Sequence, residues 1–435
     1  MPPRPRTNAP ILSYEVERAT LGNGLRVVVT PDRSSPVVAV AVYYDVGIRS
    51  EPEGRTGFAH LFEHLMFQGS RNVASGEHFS ALMGAGGRLN ATTWFDRTNY
   101  FETVPRGAMD LALWMEADRH GHLLDAVNQE NLDNQRDVVK EEKRQSYDNV
   151  PYGNALIDIY AAIFPKGHPY HHATIGSMED LDGASVQDVH DFFRRYYGPN
   201  NTVLTLVGDL TPDEGFEAAE RYFGQLPATA AASRAPVDAL GPLPEPIRDE
   251  HIEDVPSDRL HVAFRLPVDD TPEFFACSMA MDIIGGLATS RLYQRLVRRE
   301  QIANGVSAHA MGLVDGVSLG FIGIDVADGC SADAVEAAAC EELVRFATEG
   351  PSEIEMESAV AQSERGWLSS LASQEERADH ICHHATLQGD SGYINTILDR
   401  LGEVTAGEVQ RAAARWLGPE SRVVVAYLKQ KRDAQ

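Results

Sequence analysis

His60-Leu61-Phe62-Glu63-His64 sets two imidazoles and a carboxylate within five residues. On an α-helix, at about 100° per residue, His60 and His64 stand roughly 40° apart, with Glu63 roughly 60° from His60 on the other side. All three side chains can therefore enter one site. The flanking Gly57-Phe58-Ala59, Leu61-Phe62 and Leu65-Met66-Phe67 are apolar enough to bury such a helix, and Thr56 is its expected N-cap. Polar groups on so apolar a helix need a role. Two neutral imidazoles one turn apart suit Zn²⁺, which in a catalytic site takes a third protein ligand and keeps one position open for water. The glutamate between them would then be the general base.

The order His-x-x-Glu-His is that of the inverzincins. The longer string Gly57-Phe58-Ala59-His60-Leu61-Phe62-Glu63-His64-Leu65-Met66-Phe67-Gln68-Gly69 resembles the pitrilysin-like (M16) zinc peptidases, and among them the two-domain bacterial proteins similar to mitochondrial processing peptidase. That resemblance implies a zinc metalloendopeptidase with one Zn²⁺ per chain, ligands His60 and His64, and Glu63 as catalytic base. It also implies a third ligand from a glutamate on a second helix, in a segment similar to Arg136-Asp137-Val138-Val139-Lys140-Glu141-Glu142. Matching the arginine, the aspartate and the two aliphatics puts that ligand at Glu142, with Glu141 as the alternative. Helix geometry permits Glu142, one turn beyond Val138 on a stripe expected to be buried. Where the family often carries another glutamate seven residues before the ligand, this chain has Gln135.

Two further segments bear on substrate. Met83-Gly84-Ala85-Gly86-Gly87-Arg88 is a flexible run leading into a short strand over Leu89-Asn90-Ala91-Thr92-Thr93-Trp94-Phe95. In the family a matching Asn-Ala-x-Thr lies on an edge strand beside the metal, where an extended peptide adds by main-chain hydrogen bonds. The resemblance thus makes Asn90, Ala91 and Thr93 substrate-binding residues. In the second half, the stretch from Ser290 to Asn304 resembles a family segment whose arginine and, seven residues later, tyrosine bind substrate and stabilise the developing oxyanion. Here those positions are Val297 and Asn304. Arg298 adjoins the first, and nothing replaces the phenol. Some family members pair a zinc-bearing subunit with a zinc-less homologue that keeps both groups. The expectation is the zinc-bearing subunit of such a heterodimer, with a self-sufficient homodimeric peptidase or a non-catalytic structural subunit as alternatives.

The elements that must position these residues follow from the rest of the chain. At 435 residues it should form two or more domains, since single cores stop growing near about 250–300 residues. Its net charge of −26 leaves no basic footprint for nucleic acid. No apolar run is long enough to span a membrane, and Met1-Pro2-Pro3-Arg4-Pro5-Arg6 lacks the apolar core of a secretory signal, so a cytoplasmic protein without a membrane partner is expected. Cys277, Cys330, Cys340 and Cys382 have no C-x-x-C spacing and read as free thiols.

Residues 189–207 and 409–427, displaced by 220, both read as a helix, a Gly-Pro stop and a strand. Two homologous halves are implied. The Ala- and Pro-rich stretch from Leu226 to Pro246 reads as an extended linker. The expected division is 1–226, a catalytic zinc-binding domain; 227–246, a linker; and 247–435, a homologous domain without zinc ligands. Strands such as Leu25–Val29 and Val37–Tyr44 among long helical stretches give an α+β fold, and the resemblance implies two α+β domains, each a mostly antiparallel sheet covered by helices, forming half of a peptidase chamber. The counterpart of the histidine helix should fall near Pro272–Asp282, which has no histidine. Two other histidine groups, His168 with His171 and His172, and His380 with His383 and His384, read respectively as a structural loop and as the surface of a polar helix.

Overall fold

The computed structural model describes residues 12–430 apart from position 231. Strands β1 (Glu17–Thr20), β2 (Arg26–Pro31), β3 (Val37–Tyr44), β4 (Arg88–Thr93), β5 (Thr98–Pro105) and β6 (Thr202–Gly208) form one sheet in the order β1-β2-β6-β3-β5-β4. Only the β2–β6 pair is parallel. The sequence of β3, VVAVAVYY, has β-branched and aromatic residues without polar alternation, and it lies buried on both faces as an interior strand. β4 is an edge strand among the described residues.

The second sheet contains β7 (Ile247–Glu253), β8 (Arg259–Leu266), β9 (Ala303–Met311), β10 (Ser318–Val326) and β11 (Arg422–Lys429), in the order β7-β11-β8-β10-β9 with β7 and β11 parallel. Leaving β1 aside, the two orders coincide when β2, β6, β3, β5 and β4 are matched to β7, β11, β8, β10 and β9. The internal repeat is visible in detail. Helix Val186–Tyr196 precedes β6 and helix Ala406–Trp416 precedes β11, both ends offset by 220 residues. Even the capping boxes match, Ser185 with Asp188 and Thr405 with Glu408.

The chain gathers into two compact units, but not by a single cut. The first takes Met1–Glu141, Thr174–Ala235 and Trp367–Asp399; the second takes Glu142–Ala173, Pro236–Gly366 and Arg400–Gln435. A single cut at 227–246 separates the strands of the two sheets but not two helical segments. Helix Gln374–Leu387, from the second half, covers the first sheet: Ala378, Ile381, Cys382 and Ala385 share a core with Val28, Ala39, Ala41, Tyr43, Val203 and Val207. Helix Ala155–Ile163, from the first half, packs on β8 and β11, where Asp158 accepts a hydrogen bond from the Tyr427 hydroxyl at 2.8 Å. An apolar stripe fits either sheet, and sequence order does not say which.

The histidine group on helix Gln374–Leu387 is consequently not a solvated surface. His384 is buried, and its ring stacks on Tyr393 with centroids 3.8 Å apart. The cysteines are free, with Cys277 and Cys382 buried. Among the described residues no helix is long and apolar enough to cross a membrane.

Candidate active site

The histidine motif lies on helix Phe58–Leu65. Phe58, Ala59, Leu61, Phe62 and Leu65 are buried, and Phe62 packs its ring against Tyr197 at 4.5 Å and Phe192 at 5.5 Å. The remaining face leaves His60, Glu63 and His64 half-buried, as a helix with one apolar side must. Thr56 is not the cap: its N–H and hydroxyl both donate to the Asp180 carboxylate, at 2.9 and 2.6 Å. The N-cap is Gly57, in the left-handed region at φ +83°. The orphan N–H groups of the first turn are met instead by the carboxylate of Glu51, which accepts from Gly57 at 3.0 Å and from Ala59 at 2.8 Å. Burial pushes the Glu51 carboxyl upward in pKa while these N–H groups pull it down. Gly57 also abuts Gly176 so closely that a Cβ on Gly176 would lie 2.3 Å from the Gly57 nitrogen. Only glycine fits either place.

The second helix spans Gln129–Lys143. Its buried residues are Leu132, Gln135 and Val139, whereas Val138 is 41% exposed. The stripe thus runs one residue later than expected, and Glu142 extends it one turn beyond Val139, not Val138. Glu141 is exposed. The boundary between the compact units falls inside this helix, but its hydrogen bonding continues through Glu142, so the carboxylate is carried by a helix rooted in the first unit. Beyond it the helix widens, with the Asn149 N–H bonding the Arg144 carbonyl at 2.9 Å.

These two helices bring His60, His64 and Glu142 together, with one ligand atom from each within 4.8 Å of the others. The two Nε2 atoms are 3.4 Å apart. Two nitrogens bound at about 2.0–2.1 Å to a tetrahedral ion stand about 3.3 Å apart, so the imidazole pair already has that spacing. Among the described residues no other group of three histidine, cysteine or acidic side chains converges in this way. In the His168 loop the imidazoles serve the backbone. His168 accepts from the Tyr170 N–H at 3.1 Å, and His171 lies 2.8 Å from the Phe164 carbonyl.

β4 runs beside the histidine helix. Ala91 and Thr93 are buried, and Asn90, on the opposite face, is exposed. The Thr93 hydroxyl donates to Oε2 of Glu63 at 2.7 Å. The Trp94 N–H bonds the Arg97 carbonyl at 2.8 Å, and antiparallel alternation from that pair turns the main-chain groups of Leu89, Ala91 and Thr93 away from β5, toward the open edge. The Ala91 N–H is covered by the Asn90 carboxamide oxygen at 2.9 Å. Glu63 carries its charge near two buried phenols, Tyr100 and Tyr197, both pushed up first by burial and further by that carboxylate. Val297 is half-buried, while Arg298 and Asn304 are exposed.

The family profile described as "Insulinase (Peptidase family M16)" matches residues 26–176, and that described as "Peptidase M16 inactive domain" matches residues 183–363. The Helicobacter pylori zinc protease PqqE is 30% identical over 311 residues, covering 69% of this chain and 67% of that protein. The chain belongs to the M16 peptidase family. Similarity extends further along other relatives. An uncharacterised zinc protease of Mycobacterium leprae is 27% identical over 93% of this chain and 90% of its own length. A probable mitochondrial-processing peptidase subunit beta of Schizosaccharomyces pombe is 24% identical, covering 93% and 89%. Among solved structures, a protease from Helicobacter pylori superposes with a TM-score of 0.88 at 24% identity, covering 95% of this chain and 99% of that one. A peptidase M16 inactive domain from Pseudomonas fluorescens gives 0.84 at 17% identity, over 97% and 99%. At these identities the structures share the fold. The M16 profiles cover most strands of both sheets, leaving out β1 and β11.

Of the residues singled out in the sequence, the structure brings His60, His64 and Glu142 together and places Glu63 on the same helix as the two histidines. Sequence reasoning missed Glu51, Asp180 and Gly176, which hold the histidine helix from distant segments. Only the Gly57-Phe58-Ala59 start hinted at the close approach.

Proposed function

We propose that this chain is a zinc-dependent endopeptidase that hydrolyses peptides or small unfolded polypeptides, acting as the zinc-bearing subunit of a heterodimer. The observation that carries the reading is the convergence of His60, His64 and Glu142, a two-nitrogen, one-oxygen donor set with imidazoles at tetrahedral spacing. Those three residues would hold the ion. Bound there, zinc supplies a Lewis acid that polarises the scissile carbonyl and lowers the pKa of a water toward about 7. Glu63, beside the two imidazoles, takes the water proton and returns it to the leaving amine. The outward N–H and C=O of Ala91 pair with an extended substrate once the Asn90 carboxamide swings off the N–H. Hydrolysis on this plan needs no covalent intermediate.

The heterodimer rests on Val297 and Asn304, which give no cation and no phenol to a developing oxyanion. A relative named as a subunit of a processing peptidase, and a fold neighbour described as an inactive domain, support a division of labour between homologues. The deciding experiment is cleavage of an unstructured peptide by the purified chain, alone and mixed with zinc-less homologues, with zinc determined on the same sample. Zinc with turnover only in the mixture is expected. Turnover alone would remove the need for a partner, and a chain that takes up no zinc would leave a structural subunit. Glu63→Gln should keep the metal and lose roughly 10²–10⁴-fold in kcat. His64→Ala should lose the metal.

A further inference from the structure

Thr93 stands where the sequence comparison expects a substrate contact, yet its hydroxyl is turned to Oε2 of Glu63, 2.7 Å away. We propose that Thr93 is the positioning residue for the general base. The inference rests on the zinc-peptidase reading above and deepens it.

A glutamate has three side-chain torsions, and Glu63 stands on the half-buried face of its helix, so helix geometry alone does not fix its carboxylate. Thr93 is a firm anchor. It is buried, β-branched and therefore stiff at χ1, and paired across the ladder with Thr98. Thr98 is itself fully buried and donates to the Val46 carbonyl at 2.9 Å. A hydroxyl donating to an ionised carboxylate is a charge-assisted bond, strong enough to select one rotamer. It also sorts the two oxygens: Oε2 is held by Thr93, and the other oxygen takes the proton.

The same strand presents Ala91 to the substrate, two residues away and about 7 Å along the strand. One rigid segment then sets both the peptide and the base. Their relative placement is what proton transfer at a near-attack distance requires, and a misplacement of about 1 Å costs roughly 10²-fold.

The test uses the full chain, under whichever condition the wild type turns over. Thr93→Val keeps shape and burial but removes the donor, and Thr93→Ser keeps the donor but removes the methyl. In Thr93→Val kcat should fall roughly 10- to 100-fold, with KM and zinc content unchanged, and Thr93→Ser should recover most of the loss. A crystal structure of Thr93→Val should show the Glu63 carboxylate in more than one rotamer on an unmoved β4, and that of Thr93→Ser a single one. A KM effect with unchanged kcat would make Thr93 a substrate contact and overturn the inference. So would a Thr93→Ser as impaired as Thr93→Val, which would mean packing. Turnover that is abolished by Glu63→Gln but untouched by Thr93→Val would overturn this inference alone. A wild type with neither zinc nor turnover would remove the base itself, and with it both readings.

Discussion

Glu142 and Glu141 are neighbours in sequence and about 100° apart on one helix, so a matched pair of substitutions separates the proposed ligand from its double. Glu142→Gln keeps size and helix propensity and replaces an anionic oxygen by a neutral one; Glu141→Gln makes the same change on the exposed side. Of the three side chains that converge, Glu142 is the only anion. Four-ligand structural zinc sites bind with roughly 10–16 kcal/mol, about 2.5–4 kcal/mol per ligand, which at about 1.4 kcal/mol per tenfold is a loss of about 10²–10³ in affinity. Since an amide oxygen still ligates weakly, the lower part of that range is expected for Glu142→Gln. Competition against a chromogenic zinc chelator at neutral pH measures it directly, with circular dichroism confirming that both variants fold. Affinity within about threefold of wild type in Glu142→Gln, or an equal loss in Glu141→Gln, would refute the geometry on which the zinc reading stands.

Three more predictions follow from positions around the site. Glu51→Ala removes the acceptor of the Gly57 and Ala59 N–H groups, and should cost about 1–3 kcal/mol in urea unfolding of the metal-free chain. Ile381→Ala, at a fully buried position, should cost about 2–5 kcal/mol, and hydrogen exchange should place the loss in the first sheet and not in the second. Burial pushes His120 down to about 4 from an ordinary 6.5. The unfolded chain then takes the proton first, so stability is full above about pH 6.5 and falls as pH drops toward about 4, by up to about 3 kcal/mol. His120→Gln should flatten the stability curve in that window, and an unchanged slope would show the imidazole to be protonated when folded.

What the sequence could disclose was local. His60, Glu63 and His64 are bound together by a spacing that helix geometry converts into a face, and the 220-residue repeat is a local pattern that occurs twice. The phase of the second helix was harder. Val138 and Val139 are both aliphatic, and only the neighbours that bury Val139 decide which of them heads the stripe. The Thr56 cap failed for a tertiary reason: Asp180 claims that hydroxyl, and Glu51 supplies the cap from outside the helix. The helix carrying His380, His383 and His384 looked solvated because its polar residues dominate composition, while its apolar stripe of Ala378, Ile381, Cys382 and Ala385 is matched to a sheet more than 150 residues away in the chain. Hydrogen bonds that join distant segments, such as Thr93 to Glu63, leave no periodicity to read.

The two copies of one topology also indicate what the proposed chemistry demands of the helix that would carry it. Helix Pro272–Met281 follows β8 as the histidine helix follows β3. It has an ordinary cap, the Thr271 hydroxyl accepting from the Phe274 N–H at 3.1 Å, and it buries Phe274, Phe275, Ala276, Cys277, Met279, Ala280 and Met281 on nearly all sides. The histidine helix has neither advantage. Its cap is a left-handed glycine without a side-chain oxygen, its start is pressed against a second glycine, and one face stays half open. A glycine in place of a threonine at the cap costs a few tenths of a kcal/mol. Glu51, Asp180 and the aromatic packing of Phe62 compensate from outside, which is why those contacts come from separate segments and not from the helix itself. Two histidines placed on Pro272–Met281 would therefore not reproduce the cluster of His60, His64 and Glu142, because the half-open face would be missing.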